Sequence, residues 1–344
     1  MKWVGPIKIV GELNADVSVP MATFETPLWP STDRGAKISR LTKGISVTLL
    51  GEKMTRSVVL EAPSAAYAKR VVRALREAQA EALEQVVSNT SRFARLDSWH
   101  EQIVGRLLYL RFAVTTGDAS GHNMATKAAD ALIDWILKNH PALQYISISA
   151  NLCMDKKPSA INGILGRGKS VVAEITIPRE ICTRYLRATP ERIVDLHVKK
   201  NLLGSILAGG IRSANAHFAN MLLAVYLATG QDAANIIEGA QGVVHAEVLD
   251  KDLYFSVTLP NLIVGTVGNG KHLPFVQAHL QRMGCDQQEG VPGENSRRLA
   301  LVIAATVLCG ELSLLAAQTN RGELTTSHMR LERLGHKKSL EAVL

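Results

Sequence analysis

The chain has 344 residues, enough for two domains and a large core, and only 5% of them are aromatic. Lysine and arginine number 39 against 31 aspartate and glutamate, a net charge of +8. No stripe of aromatic and basic residues and no recognition helix accompanies that charge, which points to small polyanions and away from nucleic acid. The N-terminus, Met1 to Pro6, lacks the apolar core of a signal peptide. Cys153, Cys182, Cys285 and Cys309 show neither metal-ligand nor disulfide-framework spacing, so they read as reduced cytosolic thiols with no metal.

Residues 1–57 read as short strands and turns: Ile7 to Val10, Val17 to Val19, and Ile45 to Leu49 ended by Gly51. From Ala65 to Val87 the pattern is a charged amphipathic helix with Val71, Val72, Leu75, Leu83 and Val86 on one side. A strand-like Ser91 to Leu96 follows, then Ile103 to Val114. Next comes the turn Thr116-Gly117-Asp118-Ala119-Ser120-Gly121-His122-Asn123-Met124, which opens a helix running to Leu137. A glycine-bearing turn of this kind offers backbone N–H groups and the positive helix end to an anion such as phosphate; turn geometry alone is the other reading. With Tyr145 to Ala150 as a further strand, the block 58–147 has the order of a small split βαβ unit.

Beyond it the sequence predicts a loop at 151–170, a strand Ser170 to Ile177, helices near 190–230, 231–240, 273–284 and 295–318, and a hairpin from Val243 to Leu259. The apolar run Leu299 to Gly310 meets Glu311 after about a dozen residues, too few to span a bilayer, and reads as a buried helix. No membrane partner is expected. Gly163-Ile164-Leu165-Gly166-Arg167-Gly168-Lys169-Ser170 fits the phosphate-loop pattern, but that motif needs a strand before it and a helix after it. Here β-branched residues follow, so the order is inverted and the match is a decoy.

Several motifs then combine in chain order: Val19 to Glu25, Ser31-Thr32-Asp33-Arg34-Gly35, Thr90 to Leu96, Gly117 to Met124, Asp155-Lys156-Lys157-Pro158, Lys200 to Ser205, Asn215 to Asn220, Thr229 to Ala234, Gly265 to Gly270 and Ser327-His328-Met329. Each is weak alone, but the ten together closely resemble the catalytic portion of 3-hydroxy-3-methylglutaryl-coenzyme A (HMG-CoA) reductases of class I, from about Val4 to Met329. The resemblance implies an α+β fold: a large substrate-binding domain, residues 1–57 and 148–344, built around a central buried helix. A ferredoxin-like NADP(H)-binding domain, 58–147, is inserted in it. It also implies a cytoplasmic homodimer or dimer of dimers with active sites at the subunit interface.

The implied chemistry is reduction of (S)-HMG-CoA to mevalonate and coenzyme A with two NADPH, NADH being the alternative cofactor. The reaction passes through a thiohemiacetal and an aldehyde. Each transfer puts negative charge on a carbonyl oxygen, so a fixed cation beside it is the largest single aid. Lys156 matches that cation, Glu25 the acid of the second reduction, and Asp232 the carboxylate coupling the two, although an aspartate there also suits a helix N-terminus. His328 matches the histidine that protonates the departing thiolate, a task suited to imidazole. For the acyl substrate the resemblance maps Arg56, Ser149, Asp155, Lys157, Lys200, His217 and Asn220. For the cofactor it maps Ser91, Arg92, Phe93, Asp118, Ser120, Gly121, His122, Asn123, Met124, Gln231, Val267 and Gly268.

The chain departs from the family pattern in places. Phe24-Glu25-Thr26 stands where Thr-Glu-Gly is usual, Ser120 and His122 where methionines are usual, and Asn269 interrupts a three-glycine turn. Leu334 occupies the place of a regulatory serine. Family members carry a longer N-terminal region with a Glu-Asn-x-x-Gly motif, whereas 24 residues precede Glu25 here. These departures keep two other readings in play: a relative acting on another acyl-CoA, and a non-catalytic acyl-CoA or nucleotide-binding protein.

Overall fold

The computed structural model describes residues 1–329. It opens on an antiparallel pair, β1 (Lys2–Gly11) and β2 (Ala15–Met21), followed by α1 (Leu28–Leu41) and the long strand β3 (Ile45–Glu61). Then come α2 (Ala65–Glu77), α3 (Ala80–Ser88), β4 (Leu96–Val104), β5 (Leu107–Val114), α4 (His122–Asn139) and β6 (Gln144–Ile148). The middle of the chain holds α5 (Ala160–Leu165), β7 (Gly168–Ile177), α6 (Arg179–Ile181), α7 (Pro190–Leu196), α8 (Ser205–Leu207), β8 (Ser213–Ala214), α9 (Phe218–Ala228) and α10 (Ile236–Gly239). The hairpin β9 (Gly242–Leu249) and β10 (Asp252–Leu262) leads to α11 (Pro274–Arg282), α12 (Glu294–Gln318) and α13 (Glu323–His328).

β3 joins two sheets. Its first half pairs parallel with β1 and antiparallel with β7, inside a path ordered β2-β1-β3-β7-β10-β9-β8. From Met54 onward it pairs antiparallel with β5 and β6, and β4 adds to β5. The second sheet therefore runs β4-β5-β3-β6, the ferredoxin-like strand order, with β-α-β-β-α-β connectivity. Its core draws Val71, Leu75 and Leu83 from α2 and α3 and Ala129 and Leu132 from α4 against Val58, Leu60, Leu108 and Leu110. A larger core surrounds α12, in which every residue from Leu299 to Ser313 is buried. This helix is long and apolar enough to cross a bilayer, yet 94% of its apolar window is buried inside the protein.

The structure differs from the sequence reading in several elements. The helix α1 was not anticipated, because Pro30 and Gly35 resemble breakers. Pro30 lies in the first turn, where a missing N–H costs nothing. Gly35 faces Cys309 of α12, where a Cβ would stand 2.2 Å from the Cys309 carbonyl oxygen, so glycine lets the two helices touch. Ser91 to Arg95 is irregular and the strand starts at Leu96; Ile103 to Val114 is not one strand but a hairpin turning at Gly105-Arg106. The helix expected over Ala65 to Val87 breaks at Ala78-Gln79. The stretch expected as helix near 190–230 is interrupted: His197–Gly204 is a π-helical turn, and Gly209-Gly210 open a loop before α9. The loop at 151–170 carries the short α5. The hairpin of β9 and β10 matches expectation, as does the strand that follows the glycine-rich decoy.

Candidate active site

The Lys156 loop connects β6 to α5. Within eight residues Ser149, Asn151, Met154 and Lys156 take left-handed φ values of 66°, 61°, 44° and 55°. Non-glycine residues held there cost about 1–3 kcal/mol each and persist only where their surroundings enforce them. Here the enforcement is visible. The Cys153 N–H donates to Ser57 Oγ at 3.1 Å and Asn162 Nδ2 to the Met154 carbonyl at 3.2 Å. Arg167, wholly buried, donates through Nη1 to Glu238 Oε1 at 2.5 Å and through Nη2 to Asp155 Oδ1 at 2.8 Å. The same Glu238 oxygen accepts the Lys156 N–H at 3.1 Å.

On this loop Lys156 Nζ lies 2.7 Å from Asp232 Oδ2, both side chains being nearly half exposed. The hydrogen bond that Lys156 donates to Asp232 pushes the Lys156 pKa up. Burial draws the Asp232 carboxyl upward, but the bonds from Lys156 and the Ala234 N–H outweigh it and hold the carboxyl low. Asp232 also caps the turn Ala233–Asn235 through Oδ1, so it has the helix-end role and the ion pair together. Arg56 on β3 donates to Ser149 Oγ at 3.1 Å and stands 3.8 Å from Asp155; Lys157 Nζ donates to the Asp155 carbonyl at 3.1 Å. His122 Nε2, buried and without a hydrogen bond, is 3.7 Å from Asp155. Burial, reinforced by Arg167, pushes the His122 pKa down to about 4, so the ring is neutral.

Glu25 belongs to a second group. Its Oε2 accepts Asn220 Nδ2 at 2.8 Å, and the same nitrogen lies 3.4 Å from His217 Nδ1. Burial pushes His217 down to about 4; its neutral ring directs Nε2–H at the Gly310 carbonyl, 3.0 Å away, and leaves Nδ1 to accept from Asn220. Glu311 receives the N–H groups of Ala216 and His217 at 2.5 and 3.0 Å. Lys200 Nζ donates to Asn201 Oδ1 at 3.2 Å, and burial lowers its pKa. Glu25, His217 and Asn220 line a cavity of about 390 Å³ shared with Arg34, Ser313 and Glu323. Among the described residues no ion pair joins Lys156 to Glu25; the lysine pairs with Asp232 and the glutamate with Asn220. The side chain of His328 lies outside the described residues, as does Leu334.

The expected cofactor residues gather at the N-terminus of α4. Gly121, at φ 93°, precedes the helix, and no side chain caps it. His122, Asn123 and Met124 form its first turn. Arg92 lies over the Phe93 ring at 4.6 Å, and that ring packs against Gly117, 3.5 Å from where a Cβ would stand. The Ala119–Val267 bridge brings Val267 and Gly268 beside the turn, and Gly265 packs on the Ser120 N–H. Ser91 Oγ accepts the Phe93 N–H at 3.2 Å. Two members of the set are engaged elsewhere. Asp118 accepts the Gly293 and Ser296 N–H groups at 3.0 and 2.9 Å, capping α12. Gln231 exchanges two 3.0 Å hydrogen bonds with Gly265 and gives another to the Thr229 carbonyl.

Sequence reasoning missed Arg167, Glu238 and Glu311. Arg167 was hidden inside the decoy, and Glu238 lies in an ordinary turn. Glu311 did carry a signal: a single carboxylate inside an apolar helix is expensive to bury without a purpose.

A ferredoxin-like sheet inserted into a mixed sheet, with a lysine–aspartate pair at the seam, gives a two-lobed α+β protein with a candidate charged cleft between its sheets. Residues 2–333 match the family described as hydroxymethylglutaryl-coenzyme A reductase, and the chain belongs to that family. Among its relatives, the 3-hydroxy-3-methylglutaryl-coenzyme A reductase of Pyrococcus horikoshii is 43% identical over 97% of this chain and 81% of its own length. That of Aeropyrum pernix is 43% identical over 97% and 79%, and reductase 2 of Dictyostelium discoideum 44% over 98% and 63%. The class II reductase of Streptococcus pneumoniae, solved bound to NADPH in open conformations, superposes with a TM-score of 0.72. It shares 20% identity over 93% of this chain and 84% of that one, a likeness of fold. The higher identity to the archaeal and Dictyostelium enzymes agrees with the class I motifs.

Proposed function

We propose that this chain reduces (S)-HMG-CoA to mevalonate and coenzyme A with two NADPH, through a thiohemiacetal and an aldehyde. The observation that carries the reading is the Lys156–Asp232 pair, an ammonium 2.7 Å from a carboxylate, half open to solvent on a loop fixed from beneath. A cation held there offsets the charge that grows on the carbonyl oxygen in each reduction without reorganising. Glu25, hydrogen-bonded to Asn220, supplies the proton of the second step. Arg56, Ser149, Lys157 and Lys200 hold the acyl carboxylate with Asn220 nearby, Asp155 and His217 lie at the rest of the acyl substrate, and His328 protonates the thiolate. NADPH, named in the Streptococcus pneumoniae structure, supplies the hydrides. The uncapped α4 N-terminus, and Arg92 stacked on the Phe93 ring that packs against Gly117 of the preceding turn, suit a cofactor rich in phosphate.

The division of labour follows the two cores, with 58–147 as the cofactor domain and 1–57 plus 148–344 as the substrate domain. Leu203, Ile206, Leu207 and Ile211, exposed near Lys200, support a homodimer with the site at its interface. Four buried, unpaired cysteines support a cytoplasmic location. The test is a spectrophotometric cofactor-oxidation assay with HMG-CoA, comparing NADPH with NADH, on wild type and Lys156→Ala. Turnover that falls by about 10²–10³ in the variant supports the reading. Binding of acyl-CoA with no cofactor oxidation by wild type overturns it in favour of a binding protein.

A further inference from the structure

We propose that Arg167, with Glu238, is the positioning residue for Lys156. The glycine-rich stretch Gly163 to Ser170 then serves the reaction as an anchor under the lysine loop, not as a phosphate loop. The inference rests on the reading of Lys156 as the cation at the reacting oxygen.

The geometry assigns this role through one shared atom. Glu238 Oε1 accepts both Arg167 Nη1, at 2.5 Å, and the Lys156 N–H, at 3.1 Å, so the arginine and the lysine backbone are tied to a single oxygen. The other arm of the guanidinium takes Asp155 at 2.8 Å, the residue immediately before Lys156. Arg167 is itself pinned, because its N–H donates to Asn261 Oδ1 on β10 at 3.2 Å. The anchor thus runs from β10 through Arg167 to both residues that determine where the lysine side chain departs. In a phosphate loop the backbone N–H groups face outward to the ligand. Here the Arg167 N–H faces inward, and Lys169, buried, lies 3.5 Å from Glu52.

An arginine suits the position because its rigid fork directs separate N–H groups at the two carboxylates, whereas a lysine offers one flexible point charge. Lys156 has φ 55° and Met154 φ 44°, conformations the loop would leave if the anchor were released. A displacement of the ammonium of about 1 Å costs on the order of 10² in rate.

The test uses Arg167→Lys and Glu238→Gln in the full-length protein. The readouts are the cofactor-oxidation assay and NMR titration of lysine-labelled protein, with the Lys156 signal identified by its loss in Lys156→Ala. For Arg167→Lys, kcat is expected to drop about 10²-fold while both KM values move less than about 3-fold. The raised Lys156 pKa should return towards about 10.4. In a Lys156→Ala background the same change should lower the residual rate no further. Glu238→Gln breaks the ion pair with Arg167 while leaving the Lys156 N–H an acceptor, so it loosens the anchor; a fall in kcat with little change in KM is expected, and it carries the test if Arg167→Lys does not fold. Equal losses in both backgrounds, or a Lys156 titration unmoved by either variant, overturn the assignment. If wild type shows no turnover, the proposed function fails, and the NMR titration alone still decides whether Arg167 positions Lys156.

Discussion

Replacing Glu311 by glutamine should change how stability depends on pH. The wild-type carboxyl sits inside α12, wholly buried, and accepts the Ala216 and His217 N–H groups. Burial nevertheless pushes its pKa from 4.5 up to about 7, with the two N–H donors and Lys200 opposing. Between those values the folded protein keeps a proton that the unfolded chain has released. The group's contribution to stability is therefore complete below pH 4.5 and is lost as pH rises through about 7. At about 1.4 kcal/mol per pKa unit, the loss amounts to about 3 kcal/mol as an order of magnitude. Glutamine does not titrate, and other groups cancel in the comparison. The stability of wild type minus that of Glu311→Gln should thus fall by about 3 kcal/mol between pH 4.5 and pH 8. The amide also turns an NH2 against one of the two backbone donors, adding a pH-independent cost of about 1–3 kcal/mol to the variant. Urea unfolding followed by tryptophan fluorescence at several pH values measures the difference. A difference that stays constant with pH refutes the reasoning, because it would mean that the carboxyl titrates alike in the folded and unfolded chain.

Gly35→Ala should destabilise by about 1–3 kcal/mol despite alanine's better helix propensity, since the added methyl meets the Cys309 backbone, which has no flexible end to yield. Thermal unfolding checks this, and a gain in stability would refute the close helix crossing. His197, pushed down to about 4 by burial, contributes stability above pH 6.5 that is lost as pH falls through about 4. His197→Gln should therefore flatten the acid limb of the stability profile by up to about 1.4 kcal/mol per pH unit, measured by urea unfolding from pH 7 to 4; an unchanged slope counts against it. Asp118→Ala should cost about 1–2 kcal/mol through loss of the α12 cap. The KM for NADPH in the same variant should change little, and a large rise in KM with unchanged stability would return Asp118 to the cofactor.

The residues of the candidate site were picked out in sequence by their resemblance to family motifs, which are short and local. Asp155-Lys156-Lys157 and Gln231-Asp232 lie within short motifs, and the loop between β5 and α4 announces itself by Gly117 and Gly121. The succession of helices and strands in the inserted unit was readable in outline, since strand and helix periods alternate over short spans, but its strand bounds were not. What was not legible comes from long-range contact. Gly35 resembles a breaker until Cys309, far along the chain, is seen against it. Arg167 reads as part of a nucleotide loop until Glu238 and Asp155 close on it. Asp118 and Gln231 sit among cofactor residues in sequence, yet their side chains join the turn to α12 and to Gly265. The β4–β5 hairpin was blurred because Arg106 and its apolar neighbours continue the β pattern across the turn.

The lysine loop is gripped from both cores. Arg56 reaches it from β3, the strand shared by the two sheets, and His122 approaches Asp155 from the first turn of α4. Arg111, on β5 in the smaller sheet, donates to the Gly166 carbonyl at 2.8 Å and to Asn162 at 3.2 Å, next to the Arg167 anchor. These links are polar and directional. The turn proposed for the cofactor leads into α4, whose His122 also approaches Asp155, so the turn and the lysine loop share a neighbour. The balance of charge fits the same picture. Arg56, Lys156 and Arg167 pair with Asp155, Asp232 and Glu238, while Arg111 and Lys157 meet only backbone carbonyls and an amide, leaving the seam with an excess of positive charge.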